Sequence, residues 1–151
     1  MSRVNTRLLV ALLVAAACLG GCSKSSPTEP PPPTGGARNE TEPNDFNPQA
    51  LGALSATDFV VSGSMSNGSD VDLYTVASSG TFALYANLDW STTSDLELTI
   101  SNANGIFVRH VDGVGHPESC TLIALPAGTY TVRVGSLSAS ATAYSLTLGM
   151  R

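Results

Sequence analysis

Most of the chain after residue 45 consists of short runs in which apolar and polar residues alternate, separated by Gly, Asn, Asp and Pro. Alternation with a period of two is typical of half-buried β-strands. The clearest runs span residues 82–90, 96–100, 130–134 and 144–148. No long segment in this part of the chain carries the 3.6-residue period of an amphipathic helix. The pattern therefore predicts an all-β domain.

Shorter apolar runs at residues 59–65, 70–76, 106–111 and 120–125 bring the total to about eight strands, enough for two sheets packed face to face. We therefore predict an antiparallel β-sandwich, jelly-roll-like in type. Residues 50–54 fit either a brief turn of helix or an edge strand. The alternation assigns these side chains to the core: Phe82, Leu84, Ala86, Leu88, Trp90, Leu96, Leu98, Ile100, Tyr130, Val132, Val134, Tyr144, Leu146 and Leu148.

The first 21 residues have the pattern of a lipoprotein export signal. Arg3 and Arg7 supply the positive end, and the apolar stretch 8–19 is too short to span a bilayer comfortably. The sequence Leu-Gly-Gly before Cys22 resembles a bacterial lipobox, in which the cysteine becomes the lipidated first residue. The alternative is an ordinary secretory signal, and both interpretations predict export.

Residues 22–38 are rich in Ser, Pro, Thr and Gly, with four consecutive prolines at 30–33. Such a segment cannot build a core and should act as an extended spacer between the lipid anchor and a domain at 39–151. Ser23, directly after Cys22, resembles the outer-membrane sorting pattern of Gram-negative lipoproteins. The prediction is a lipid-anchored protein, on the outer membrane if the host is Gram-negative.

Charge and cysteine content argue against nucleic-acid binding and against a disulfide or a reactive cysteine. The formal net charge is −5, and loss of Arg3 and Arg7 with the signal makes the chain more acidic, so nucleic acid is not an expected partner. Cys120 is the one cysteine outside the signal and the lipidation site. No intramolecular disulfide is then available, and a lone cysteine within an apolar run is most simply an inert core residue.

Two acidic clusters supply the candidate metal ligands. Residues 40–45 contain three carboxylates and an amide, and Pro43 favours an extended chain before it. In the run 70–76, alternation places Asp70 and Asp72 on the core-facing side, at the rim of the core. Close carboxylates repel one another unless a cation compensates them, and calcium prefers six to eight such oxygens. The alternative for residues 40–45 is a solvated acidic turn or a cap for backbone amides.

Several stretches, in their order and spacing, resemble the bacterial pre-peptidase C-terminal domain, a calcium-associated β-sandwich related to clostridial collagen-binding domains. The resemblance covers about residues 39–149. It departs from the family pattern at Leu73, where an aromatic residue is usual, and at Glu97, where an aspartate often stands. The stretches that carry it are Glu42-Pro43-Asn44-Asp45, Gly63, Asp70-Val71-Asp72-Leu73-Tyr74, Asp95-Leu96-Glu97-Leu98, Asn104-Gly105, the run from Leu125 to Val134, and Ala143-Tyr144-Ser145-Leu146-Thr147-Leu148.

The resemblance implies which residues hold calcium and where catalysis would lie. It places the calcium ligands in residues 40–45, here called the opening segment, and in the strand that contains Asp70 and Asp72. In this family the peptidase is a separate region of the chain, and no peptidase motif occurs in this sequence. The ligands implied are Glu40, Glu42, Asn44, Asp45, Asp70 and Asp72.

Candidate catalytic residues are sparse. His110, Asp112 and His116 are the best-placed acid and base groups, but their spacing fits no established zinc or hydrolase pattern. We therefore predict a non-catalytic, surface-tethered binding or structural module. The alternative is an accessory or targeting partner of a separately encoded peptidase or other surface enzyme. Tyr85 and Phe107 are the outward aromatics expected to contact an extracellular protein or polysaccharide, whose identity, like the oligomeric state, the sequence leaves open.

Overall fold

A computed structural model describes residues 35–138 and 140–151. The predicted signal 1–21, the lipidation site Cys22 and most of the linker lie outside these residues. No helix that could cross a membrane occurs in the described part of the chain. The described residues form ten strands: β1 (Gly36–Asn39), β2 (Gln49–Ala53), β3 (Phe59–Met65), β4 (Val71–Ser78), β5 (Phe82–Trp90), β6 (Leu96–Asn102), β7 (Phe107–Val111), β8 (Glu118–Leu125), β9 (Gly128–Ser136) and β10 (Thr142–Met150).

The strands form two five-stranded sheets, which confirms the predicted all-β sandwich. One sheet has the order β1-β3-β10-β5-β8 and the other β2-β4-β9-β6-β7. Two expectations are corrected. The strand count exceeds eight because β1 and β2 are short edge strands without strong alternation, and β1–β3 and β2–β4 pair in parallel rather than antiparallel.

The core lies between the sheets and contains every side chain that the alternation assigned to it. Leu146 of β10 lies opposite Leu88 of β5 on one side and Val61 of β3 on the other, and all three are fully buried. Full burial of one such side chain contributes about 1.5–3 kcal/mol to the free energy of folding. Trp90 is also buried, and its indole N–H donates to the Ser94 carbonyl oxygen at 2.7 Å.

The first strand fixes where the opening acidic segment lies. Residues 36–38, which the sequence assigned to the linker, pair with β3 as part of β1. The Arg38 guanidinium lies 5.6 Å from the centre of the Phe59 ring. Directly after β1, the backbone N–H of Glu40 donates to the Ser62 carbonyl oxygen at 2.9 Å. The opening segment is therefore attached to β3, beside the turn that leads into β4.

Candidate metal centre

Two acidic segments that are far apart in sequence meet at one end of the sandwich. Glu42 and Asp45 belong to the segment after β1, Asp70 directly precedes β4, and Asp72 is the second residue of β4. One carboxylate oxygen from each of the four residues lies within 4.8 Å of the other three. The resemblance implied this convergence, and the fold produces it because β1 pairs with β3, which leads through a short connection into β4.

Glu40 and Asn44 fix the opening segment in place. One Glu40 carboxylate oxygen accepts a hydrogen bond from the Ser64 backbone N–H at 2.7 Å, and the other faces the Asn44 side-chain amide at 3.4 Å. The backbone N–H of Asn44 donates to the Glu42 carboxylate at 2.8 Å. Both oxygens of Glu40 thus face protein donors, and Glu40 is not among the four residues whose carboxylates converge.

The turn before β4 positions Asp70. Its carboxylate accepts hydrogen bonds from the backbone N–H groups of Ser66 and of Val71, the latter at 3.1 Å. Burial alone would raise the pKa of Asp70, but these donors lower that pKa below its usual range. Asp70 therefore supplies a stable negative charge to the cluster.

Asp72 is completely buried, which corrects the prediction that it lies at the rim of the core. The opening segment and β10 cover Asp72. The alternation of residues around Asp72 does not predict either contact. The Tyr144 hydroxyl donates to Asp72 Oδ2 at 2.5 Å, and the Tyr74 hydroxyl lies 2.6 Å from that of Tyr144. Burial raises the pKa of Asp72 to about 8, and the neighbouring Glu40 and Asp70 carboxylates add to the rise.

Gly63 makes room for the tyrosine that holds Asp72. It lies opposite Tyr144 in the β3–β10 pairing, and a Cβ atom at this position would stand 2.4 Å from the Tyr144 hydroxyl oxygen and ring. Gly63 belongs to the stretches that carry the family resemblance and Tyr144 to the predicted core, but neither was expected to act at the acidic cluster. Their contact depends on register between distant strands, which no local pattern encodes.

Three buried oxygens at the cluster lack a hydrogen-bond partner: Asn44 Oδ1, Asp45 Oδ1 and Asp72 Oδ1. Among the described residues the only other atom of this kind is Glu118 Oε2. A buried oxygen without a hydrogen-bond partner costs about 1–3 kcal/mol of folding free energy. This cluster could hold a metal ion, and the ligand atoms that it offers are all oxygens.

The remaining predicted residues do not join this centre. Tyr85 lies on β5 with the Arg151 guanidinium 4.5 Å from its ring centre, and Phe107, 60% exposed, lies on β7 in the other sheet. The two aromatics therefore belong to different faces of the sandwich. Cys120 is half-buried, and burial raises the pKa of its thiol, as expected of an inert cysteine.

The two histidines are separate from each other. His110 Nδ1 lies 3.1 Å from the Thr99 hydroxyl and its Nε2 lies 3.3 Å from Asp112 Oδ2, whereas His116 contacts Asp89. The Thr99–His110–Asp112 order is reminiscent of a hydrolase triad. However, Thr99 lies within β6 between two partner strands, where its backbone amide serves the sheet and cannot help to form an oxyanion hole.

The fold is found in several solved structures. The pre-peptidase C-terminal domain of a Bacillus anthracis collagenase matches with a TM-score of 0.58 and 12% identity, over 74% of this chain and all of that one. The chain has the pre-peptidase C-terminal fold. An Aeromonas hydrophila periplasmic inhibitor of g-type lysozyme matches with a TM-score of 0.52 and 13% identity, over 77% of this chain and all of that one.

A third structure, a Yersinia pseudotuberculosis-derived mitogen, matches this pre-peptidase C-terminal fold with a TM-score of 0.50 and 14% identity. The match covers 64% of this chain and 88% of the mitogen chain. No family model and no curated protein matches the sequence. At these identities the likeness shows the fold, and the function has to be argued from the residues of this chain.

Proposed function

We propose that the protein is a non-catalytic binding module that is stabilised by calcium and tethered to the cell surface. The observation that carries the calcium assignment is the set of three unpartnered buried oxygens on Asn44, Asp45 and Asp72, beside the carboxylates of Glu42 and Asp70. None of the ion pairs among the described residues reaches these groups, so no arginine or histidine compensates them there. A divalent cation would offset the repulsion and join the opening segment to β4.

Titration calorimetry with calcium tests the proposal directly. We expect saturable binding to the wild-type protein and a loss of at least about tenfold in affinity in Asp72→Asn, because a cluster ligand loses its charge. Binding should also tighten from pH 6 to pH 8, since calcium displaces the proton that the raised pKa of Asp72 retains. Asp95→Asn, a carboxylate outside the cluster, is the control. Equal calcium affinity in Asp72→Asn and the control would refute the site.

Surface tethering is proposed from the lipobox-like sequence ending at Cys22, which lies outside the described residues. Lipidation of this cysteine should place the wild-type protein in the membrane fraction, although the described domain has the polar-out, apolar-in pattern of a water-soluble sandwich. Cys22→Ala should move it to the soluble fraction. Equal amounts of both forms in the membrane fraction would contradict lipidation.

A second function, as a partner of a separately encoded cell-envelope enzyme, has support from one comparison. A periplasmic lysozyme inhibitor shares this fold, which supports a role in which a sandwich of this kind binds a protein rather than a small molecule. Affinity capture with the wild-type protein, from envelope extracts and on purified g-type lysozyme, collagen and peptidoglycan, would distinguish the two functions. Retention of an enzyme with loss of its activity would favour the partner role, and retention on collagen or peptidoglycan alone would favour the binding module.

A further inference from the structure

The connection between β7 and β8 crosses the open side of the sandwich. β7 is the edge strand of one sheet and β8 the edge strand of the other, so residues 112–117 pass from sheet to sheet. Glu118, the first residue of β8, lies opposite Leu88 and is only 2% exposed. Its Oε1 accepts a hydrogen bond from the Gly113 backbone N–H at 2.5 Å, and its buried Oε2 has no partner. A buried carboxyl group therefore fastens the loop at its inner side.

The surroundings of Glu118 disfavour its charged form. The pKa of Glu118 is raised to about 7: burial is the main cause, the carboxylates of Asp95 and Asp112 contribute, and the backbone N–H donors of Gly113 and Leu98 oppose the rise. When the loop opens, contact with water and a greater distance from Asp112 should lower the pKa of Glu118 toward that of an ordinary glutamate. Closing the loop thus favours the protonated carboxyl group.

The outer end of the loop has a second contact. The His116 ring packs on the buried Trp90 with ring centres 5.4 Å apart, and His116 Nδ1 lies 3.1 Å from Asp89 Oδ1. Between these contacts, Val114 is fully exposed at the tip of the loop.

We propose that residues 112–117 form a pH-responsive flap, closed in mild acid when Glu118 is neutral, and open at alkaline pH. Glu118 has the higher proton affinity in the closed state, so its contribution to closure is complete below about pH 4.5 and is lost as the pH rises through about 7. Opening uncovers Trp90 and the gap between the two edge strands.

Amide hydrogen exchange at Gly113 tests the flap, with the protection factor taken relative to the intrinsic exchange rate at each pH. At a fixed calcium concentration, the protection factor should fall roughly tenfold or more from pH 5.5 to pH 8. The amide of Leu146 in the core reports global unfolding and should stay better protected than Gly113 at both pH values, so that the loss at Gly113 reports local opening of the loop. A Gly113 protection factor that is the same at both pH values would overturn the proposal.

Two variants assign the effect to Glu118. Glu118→Gln keeps the shape and an acceptor oxygen but cannot ionise, so Gly113 protection should become nearly independent of pH. Asp112→Asn leaves Glu118 in place and removes one repelling carboxylate. The pKa of Glu118 in the closed state should then be lower, so the midpoint of the loss of protection should move to lower pH. A pH-dependent loss that persists unchanged in Glu118→Gln would overturn the proposal, whichever way Asp112→Asn behaves.

Discussion

Calcium should raise the melting temperature of this protein by about 10 °C when it is present at a hundredfold excess over its dissociation constant. A ligand that binds only the folded state then contributes about 2.7 kcal/mol, and a domain of this size gains roughly 4 °C for each kcal/mol. The unfolded chain cannot supply the same site, because Asp45 and Asp70 are brought together only by the fold. Magnesium should shift the melt much less, since it dehydrates reluctantly and requires a tighter octahedron.

Thermal melts of the wild-type protein in EDTA, calcium and magnesium measure this effect, and three variants locate it. Glu42→Gln and Asp72→Asn each neutralise one member of the cluster and should lose most of the calcium-dependent rise. Asp95→Asn should keep it, because this carboxylate lies outside the cluster. If calcium and EDTA give the same wild-type melt, the opening segment is a structural cap and the metal assignment fails.

The same ion would connect the fold to the segment that precedes it. Glu40 follows β1 directly and is bonded to Ser62 and Ser64 of β3, and Glu42 then contributes to the cluster with Asp72 of β4. A cation held there would tie β1 to two neighbouring strands through the opening segment. Protein used in these experiments should therefore include β1, which a boundary at residue 39 would remove.

The strands could be predicted from the sequence because each carries its own evidence. In β5 and β10, apolar side chains at every second position indicate one buried face, and the structure buries that face. β1 and β2 have only four and five residues, with Leu51 as the single large apolar side chain, and so give no such signal. These strands form by pairing with β3 and β4. Their parallel direction follows from the path of the chain, which alternation does not record.

The metal centre could be predicted in part. The acidic residues stand out in composition, but local pattern could not bring Asp45 beside Asp70, and the family resemblance supplied that step. The full burial of Asp72 was not predicted because it depends on contact with Tyr144, which is 72 positions away in sequence. Glu118 was missed for the opposite reason, since a glutamate beside Pro117 is expected at the surface and only the crossing of the loop buries it.

Gly63→Ala should destabilise the metal-free protein by about 1–3 kcal/mol and weaken calcium binding at least about tenfold. The added methyl group would stand 2.4 Å from the Tyr144 hydroxyl oxygen and ring, so the ring must move. Tyr144 donates to Asp72 Oδ2, and its displacement would free the carboxylate to rotate away from the cluster. The effect is transmitted by a side chain that does not itself belong to the acidic cluster.

Melting in EDTA and calcium titration measure the two consequences of Gly63→Ala separately, and two further variants interpret them. Gly80→Ala is the matched control, because a methyl group there meets nothing within 4 Å. Tyr144→Phe keeps the ring but removes the donor to Asp72, so it should lower calcium affinity without the steric clash. A Gly63→Ala protein that melts and binds calcium like Gly80→Ala would show that the contact between β3 and Tyr144 does not position Asp72. Loss of stability with unchanged calcium affinity would confine Gly63 to packing, because the clash would then be relieved without moving the carboxylate.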